Sequence, residues 1–284
     1  MSAQAPSADI HLEIDDFGVA VITLDRPQRR NAFSSAMGRG LGDYYARCDA
    51  DDDVRVIVLT GAPPAFCAGA DISSGADTFG PTERGRFSAA AVDPPAWTLR
   101  KPVIAAVNGH AIGLGLTLAL QCDLRVFAID ARYGVVQVRR GVMPDAYAHW
   151  TLPRLAGIAA AAEILLTGRT FDGNDALRMG IATRAVDADE VLAVAMDLAR
   201  DIAVNVSPVS AAYTKRLLWE SFAHSPGEVG RLETELHHHL MGSADAREGV
   251  MAFVERRDPV WTRRVPSDLP PWPEEQLNDR EEKQ

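Results

Sequence analysis

Short runs of apolar, mostly β-branched residues punctuate the first half of the chain at Val19–Leu24, Val54–Leu59, Val103–Val107 and Leu124–Ala128. Each has the length and character of a buried strand. Segments of helical period separate several of them; between Ser34 and Cys48, the residues Met37, Leu41, Tyr44 and Cys48 fall on one face. The alternation predicts an α/β protein, and periodicity leaves open a doubly wound sheet or a spiral of ββα turns. From Ser207 onward the pattern is helical: one segment carries Ala211, Thr214, Lys215, Leu217, Leu218 and Phe222, a second runs over Val229–Leu240, and a third over Asp245–Arg257. The Pro-rich, charged stretch Pro266–Gln284 is expected to be mobile or an extended arm, with Trp272 a lone side chain able to dock on a neighbour.

Two glycine-containing stretches sit where a strand run gives way to a helical one. Phe66-Cys67-Ala68-Gly69-Ala70-Asp71-Ile72 follows Val54–Gly61, and Asn108-Gly109-His110-Ala111-Ile112-Gly113-Leu114-Gly115 follows Lys101–Val107. Small residues at such a junction let a ligand approach the backbone, and a helix N-terminus presents unpaired N–H groups with a favourable dipole. Two N–H donors aimed at one point stabilise an enolate or a tetrahedral oxyanion. Either stretch alone is explained as a tight turn; the pair favours an oxyanion site.

In this order the two stretches resemble the crotonase superfamily of enoyl-CoA hydratases and isomerases. The likeness extends to Leu24-Asp25-Arg26-Pro27 with Asn31-Ala32-Phe33, to Gly168-Arg169 and Ala176–Ala182, and to Glu248–Trp261, so it spans roughly residues 10 to 262. The resemblance implies a crotonase-type spiral of ββα turns with a C-terminal helical trimerisation region. It divides the chain into a flexible N-terminus (1–9), a spiral core with the acyl-CoA site (10–204), a helical oligomerisation region (205–262) and a Pro-rich charged tail (263–284). It implies a homotrimer or homohexamer, helped by apolar Val250, Phe253, Val254 and Trp261.

By the same resemblance the oxyanion donors are the N–H groups of Ala70 and Leu114. The CoA thioester is expected to lie against Arg26, Arg29, Ala32, Ala68, Gly69, Ala70, Asp71, Ile72, His110, Gly113 and Leu114, with Arg30 completing a local basic cluster. Typical hydratases position water with two glutamates; the matching positions are Thr117 and Gln137. A hydroxyl and a primary amide do not exchange protons near neutral pH, which argues against ordinary two-glutamate hydration. Asp145, in Gly141–Trp150, matches the place where dienoyl-CoA isomerases and chlorobenzoyl-CoA dehalogenases carry a catalytic aspartate. In a dry pocket its pKa rises toward the working pH. The competing reading is a helix N-cap, with His149 one turn further on as a buried structural histidine or an orienting partner.

Composition narrows the field. At 284 residues and 47% hydrophobic, the chain holds a substantial core, and its net charge of −10 argues against general nucleic-acid binding. Cys48, Cys67 and Cys122 have neither paired nor metal-ligand spacing, and Cys67 reads as a packing residue. Met1–Ala8 lacks a signal-peptide pattern and no run reaches membrane-spanning length, so a cytoplasmic protein away from membranes is expected. The consecutive His237, His238 and His239 point in different directions on a helix, and no metal is expected. Gly113-x-Gly115 lacks the third glycine of a dinucleotide fingerprint, position 118 being Leu.

The reading is an acyl-CoA enzyme of the enoyl-CoA hydratase/isomerase family with no cofactor beyond the CoA of its substrate. Catalytic roles fall to Ala70, Leu114, Asp145, Thr117 and Gln137, suiting isomerisation or thioester or C–C hydrolysis. The rivals are a catalytically silent acyl-CoA-binding protein and a scaffold subunit.

Overall fold

The computed structural model of the protein describes residues 9–81 and 88–273. The chain opens with an antiparallel pair, β1 (Ile10–Ile14) and β2 (Val19–Leu24), followed by helix α1 (Ser35–Ala50). Then come β3 (Val56–Gly61), β4 (Ala65–Cys67), β5 (Val103–Val107), β6 (His110–Ile112), α2 (Leu114–Ala119), β7 (Leu124–Ala128) and β8 (Tyr133–Gly134). Helices α3 (Ala148–Thr167) and α4 (Gly173–Arg178), strand β9 (Arg184–Val186) and helix α5 (Val191–Asn205) complete the first part.

Two sheets result, one of order β1-β2-β3-β5-β7-β9 and one of order β4-β6-β8. After β1 every pairing is parallel. The successive units β3–β4, β5–β6 and β7–β8 each give one strand to the large sheet and one to the small. This is the spiral of ββα turns rather than a doubly wound sheet. β3 and β5 are buried along their whole length, which explains runs of apolar residues without alternation. Helix α5 packs on β3, β5 and β7 and buries a stripe of alanines, Ala195, Ala199 and Ala203, that lets helix and sheet approach closely.

In α1 the buried face is Met37, Leu41, Tyr45 and Cys48; Tyr44, expected on that face, is only half buried, and its neighbour takes the place. Ser34 caps the helix by accepting from the Met37 N–H. The expected strand at Val54 begins two residues later, at Val56.

The C-terminal part comprises α6 (Pro208–Glu220), α7 (Pro226–Leu240) and α8 (Ala244–Glu255). A second core joins Val209, Ala212, Tyr213, Leu232 and Leu236 to Val265 and Trp272. The arm expected from Pro266 is therefore packed as far as residue 273. Val265, Leu269 and Trp272 recur at a spacing that lays them on α6 and α7, the Tyr213 hydroxyl donates to Pro270 O at 3.0 Å, and the Arg216 guanidinium lies 4.2 Å over the Trp272 ring. Trp272 docks on its own chain, not on a neighbour. Of the expected flexible stretch at residues 1–9, Asp9 pairs with Arg26, while residues 1–8 and the tail from 274 lie outside the described residues. No helix among the described residues is long and apolar enough to cross a membrane.

Candidate active site

The site is built on one buried side chain in the loop after β2. Asn31 donates through Nδ2 to Ala62 O and Ala65 O at 2.8 and 2.7 Å, and its Oδ1 accepts from the Arg26 N–H at 2.8 Å. The loop is thereby fastened against the start of β4. Beyond β4 the chain turns at Gly69, with φ +96, and forms a parallel bridge between Phe33 and Ala70. The bridging bonds run from Phe33 N–H to Gly69 O (2.7 Å) and from Asp71 N–H to Phe33 O (3.1 Å). Ala70 itself contributes none, so its N–H is directed away from Phe33.

The second junction meets the first. β6 ends at Ile112, Gly113 takes φ 55 and ψ −121, and Leu114 begins α2, where its N–H has no intrahelical acceptor. A Cβ on Gly69 would stand 2.6 Å from Ile112 O and 3.9 Å from Leu114 N; one on Gly115 would stand 2.2 Å from Cys67 O. Only glycine lets these backbones approach so closely. Ala70 and Leu114 border the same cavity of about 700 Å³, and among the described residues neither N–H meets an acceptor. Cys67, beneath the junction, is fully buried, and burial pushes its thiol up to about 12, consistent with a packing role.

The opposite wall runs from Val136 through the 3₁₀ turn Gln137–Arg140 to Asp145. Gln137 is 8% exposed and stacks its amide 3.5 Å from where a Gly113 side chain would begin. Its Nε2 donates to Asp145 Oδ1 at 3.0 Å, while its buried Oε1 has no partner among the described residues. Burial raises the Asp145 pKa, opposed in part by the bond from Gln137. Asp71 also borders the cavity and goes the other way: bonds from Ser73, then Arg26, hold it below the usual carboxylate range. Two carboxylates thus line the cavity, in opposite electrostatic settings.

Of the expected site residues, Arg29, Ala32, Ala68, Gly69, Ala70, Asp71, Ile72, Gly113, Leu114, Gln137 and Asp145 border this one cavity. Three do not. Arg26 spends its guanidinium on Ala32 O (2.8 Å), Asp71 (3.1 Å) and Asp9 (3.3 Å), so it orders the loop. His110 enters β6 at the end opposite the Gly113 turn; it is exposed, and its Nδ1 accepts from the Arg132 N–H at 2.8 Å. Thr117 is fully buried inside α2, its hydroxyl donating to Leu114 O at 3.1 Å.

Asp145 is not a helix cap, because α3 starts at Ala148 behind Tyr147 with no side-chain cap. His149 faces solvent and is not the buried histidine expected. Arg140, which sequence reasoning missed, lines the cavity as an exposed cation; its only signal was the basic pair it forms with Arg139 one turn after Gln137. Among the described residues no group of three His, Cys, Asp or Glu side chains is placed to hold a metal.

Spiral architecture, touching glycine junctions and the cavity between them define a crotonase-fold protein. Comparison with known proteins agrees. The sequence model of the Enoyl-CoA hydratase/isomerase family matches residues 15–264. The chain is 37% identical over 247 residues to an enoyl-CoA hydratase of Alternaria alternata, covering 86% of this chain and 83% of that one. It is 37% identical over 254 residues to a probable enoyl-CoA hydratase of Mycobacterium tuberculosis, covering 88% and 96%. A solved structure of a probable enoyl-CoA hydratase/isomerase from Mycobacterium abscessus superposes with a TM-score of 0.86 at 56% identity, over 89% of this chain and 98% of that one. The chain belongs to the enoyl-CoA hydratase/isomerase family.

Proposed function

We propose that the protein moves a proton along the acyl chain of a CoA thioester, converting a 3-enoyl-CoA to the conjugated 2-enoyl-CoA through a thioester dienolate. The Ala70 and Leu114 N–H groups hold the thioester oxygen as negative charge develops on it. Asp145 takes a proton from C2, the electron pair moves to the thioester oxygen, and the same carboxylic acid returns the proton at C4. The reaction is redox-neutral and needs no cofactor beyond the CoA of the substrate. Exposed Arg29 and Arg140 at the cavity border meet the CoA phosphates.

The observation that carries this reading is the pairing of Asp145 with a neutral amide. Hydration needs a base for water and an acid for C2, and Gln137, 3.0 Å from Asp145, supplies neither. A proton shuttle needs one carboxylate. Burial raises the pKa of that carboxylate, which strengthens it as a base toward a weakly acidic C–H. Purified protein given 3-enoyl-CoA should generate the conjugated absorbance and a product of unchanged mass. With 2-enoyl-CoA, gain of water should be slower than this isomerisation. Hydration at the faster rate would overturn the reading, and tight acyl-CoA binding without any product would favour a silent binding protein.

A further inference from the structure

Directly after Asp145 the backbone does something costly. Ala146 and Tyr147 both lie in the left-handed region, at φ 46 and φ 63, although neither is glycine. Side chains disfavour that region, and two such residues in succession persist only where their surroundings over-determine them. No side-chain cap on α3 provides the restraint.

The restraint comes from three directions. The Ala146 N–H donates to Ala89 O at 2.8 Å. The Tyr147 ring meets Trp97 edge-on, centroids 4.4 Å apart. The Ala146 carbonyl accepts from Gln121 Nε2 at 3.2 Å. Gln121 is 3% exposed and stands in the turn that ends α2, with its own N–H bonded to Leu118 O. A long polar side chain is buried at such a position only when it has a bond to make there.

We infer that Gln121 is a positioning residue: by holding the Ala146 carbonyl it fixes the Asp145 carboxyl relative to the Leu114 N–H at the other end of the same short helix. Donor and base are then referenced to one rigid element, α2, whose first residue offers the N–H and whose following turn holds the base segment. This rests on the proposed roles of Leu114 and Asp145. Its signal in the sequence is a lone amide in the apolar run Leu118-Ala119-Leu120-Gln121-Cys122.

The test is Gln121→Met, which keeps volume and removes the donor. Turnover of 3-enoyl-CoA should fall about 10- to 100-fold in kcat, the scale of a misplaced reacting group, with KM changed less than about threefold. Independently of activity, the carbon-13 titration of the Asp145 carboxyl should move toward the ordinary aspartate range as the segment loosens into solvent. Adding Ala146→Gly, which tolerates positive φ, should recover part of the lost kcat.

A folded Gln121→Met protein with wild-type kcat and an unmoved Asp145 titration would overturn the inference. If that variant does not fold, Gln121→Asn, which keeps the amide but withdraws it by one methylene, carries the same expectations. Absence of turnover in the wild-type protein would count against the proposed function alone, since the titration still decides the positioning role.

Discussion

Replacing Gln137 by Glu puts a carboxyl where an amide now donates to Asp145 Oδ1 at 3.0 Å. A hydrogen-bond donor becomes a second acid, in a wall that is 8% exposed at this residue. At an effective dielectric of about 20 and a charge separation of about 4 Å, two ionised carboxylates repel by about 4 kcal/mol. That corresponds to about 3 pKa units. The pair should share a proton and titrate in two macroscopic steps. In the wild-type protein, log kcat for 3-enoyl-CoA should rise along one limb set by Asp145, above the ordinary aspartate range because burial raises that pKa. In Gln137→Glu the first proton leaves a singly ionised pair in which Asp145 is the base about half the time, and the second leaves about 3 pKa units higher, so log kcat should rise in two limbs where the wild-type protein shows one. The assay is the pH dependence of kcat, with circular dichroism to confirm folding over the range. A single limb identical to that of the wild-type protein would mean that either Asp145 is not the titrating group or residue 137 does not face it.

Gly115→Ala forces a methyl to within 2.2 Å of Cys67 O and 2.8 Å of Cys67 Cβ, so β4 and α2 must part. Overpacking of this kind costs about 1–3 kcal/mol or more, and the displaced donors should cost about 100-fold in kcat; a wild-type rate would show that the junctions need not touch. Asp145→Asn should raise Tm at pH 7. The folded-state pKa lies above the ordinary 3.8, so wild-type stability falls as pH rises through that window and stays lower above it, whereas Asn has no proton to lose. The Tm difference should vanish at pH values below 3.8, and an Asn variant less stable at pH 7 would contradict the assigned burial cost. Light scattering at micromolar concentration should report an oligomer, because α8 leaves Val250, Phe253 and Val254 at 63, 85 and 66% exposure, and the family resemblance implies a trimer or hexamer; a monomer would refute it.

Much of the scaffold was legible because burial leaves a long apolar signature. Val19–Leu24, Val103–Val107 and Leu124–Ala128 are strands with the expected bounds. The small sheet was not legible: β4, β6 and β8 have three, three and two residues, too few to establish a period. At the site, Gly69 and Gly115 could be read because close backbone contact admits only glycine, and Gly113 because its positive φ disfavours a side chain. Arg26, His110 and Thr117 stood within or beside the same motifs yet turned elsewhere, since a side chain's direction depends on partners distant in sequence, such as Asp71 for Arg26 and Arg132 for His110. Gln121 and Arg140 carried no motif at all. Trp272 was misread because its partners, Tyr213 and Arg216, lie in a helix that sequence adjacency does not connect to it.

Asp145 is the group that moves the proton in the proposed reaction. Because the carboxylic acid that takes the C2 proton returns it at C4, the most direct measurement is the fate of deuterium placed at C2 of 3-enoyl-CoA, compared between wild-type protein and Asp145→Asn at matched acyl-CoA saturation. Deuterium should leave C2 for C4 or solvent with the wild-type protein and do so about 100-fold or more slowly in the Asn variant, with acyl-CoA affinity retained. Equal rates of deuterium movement in the two proteins would show that Asp145 is not the base.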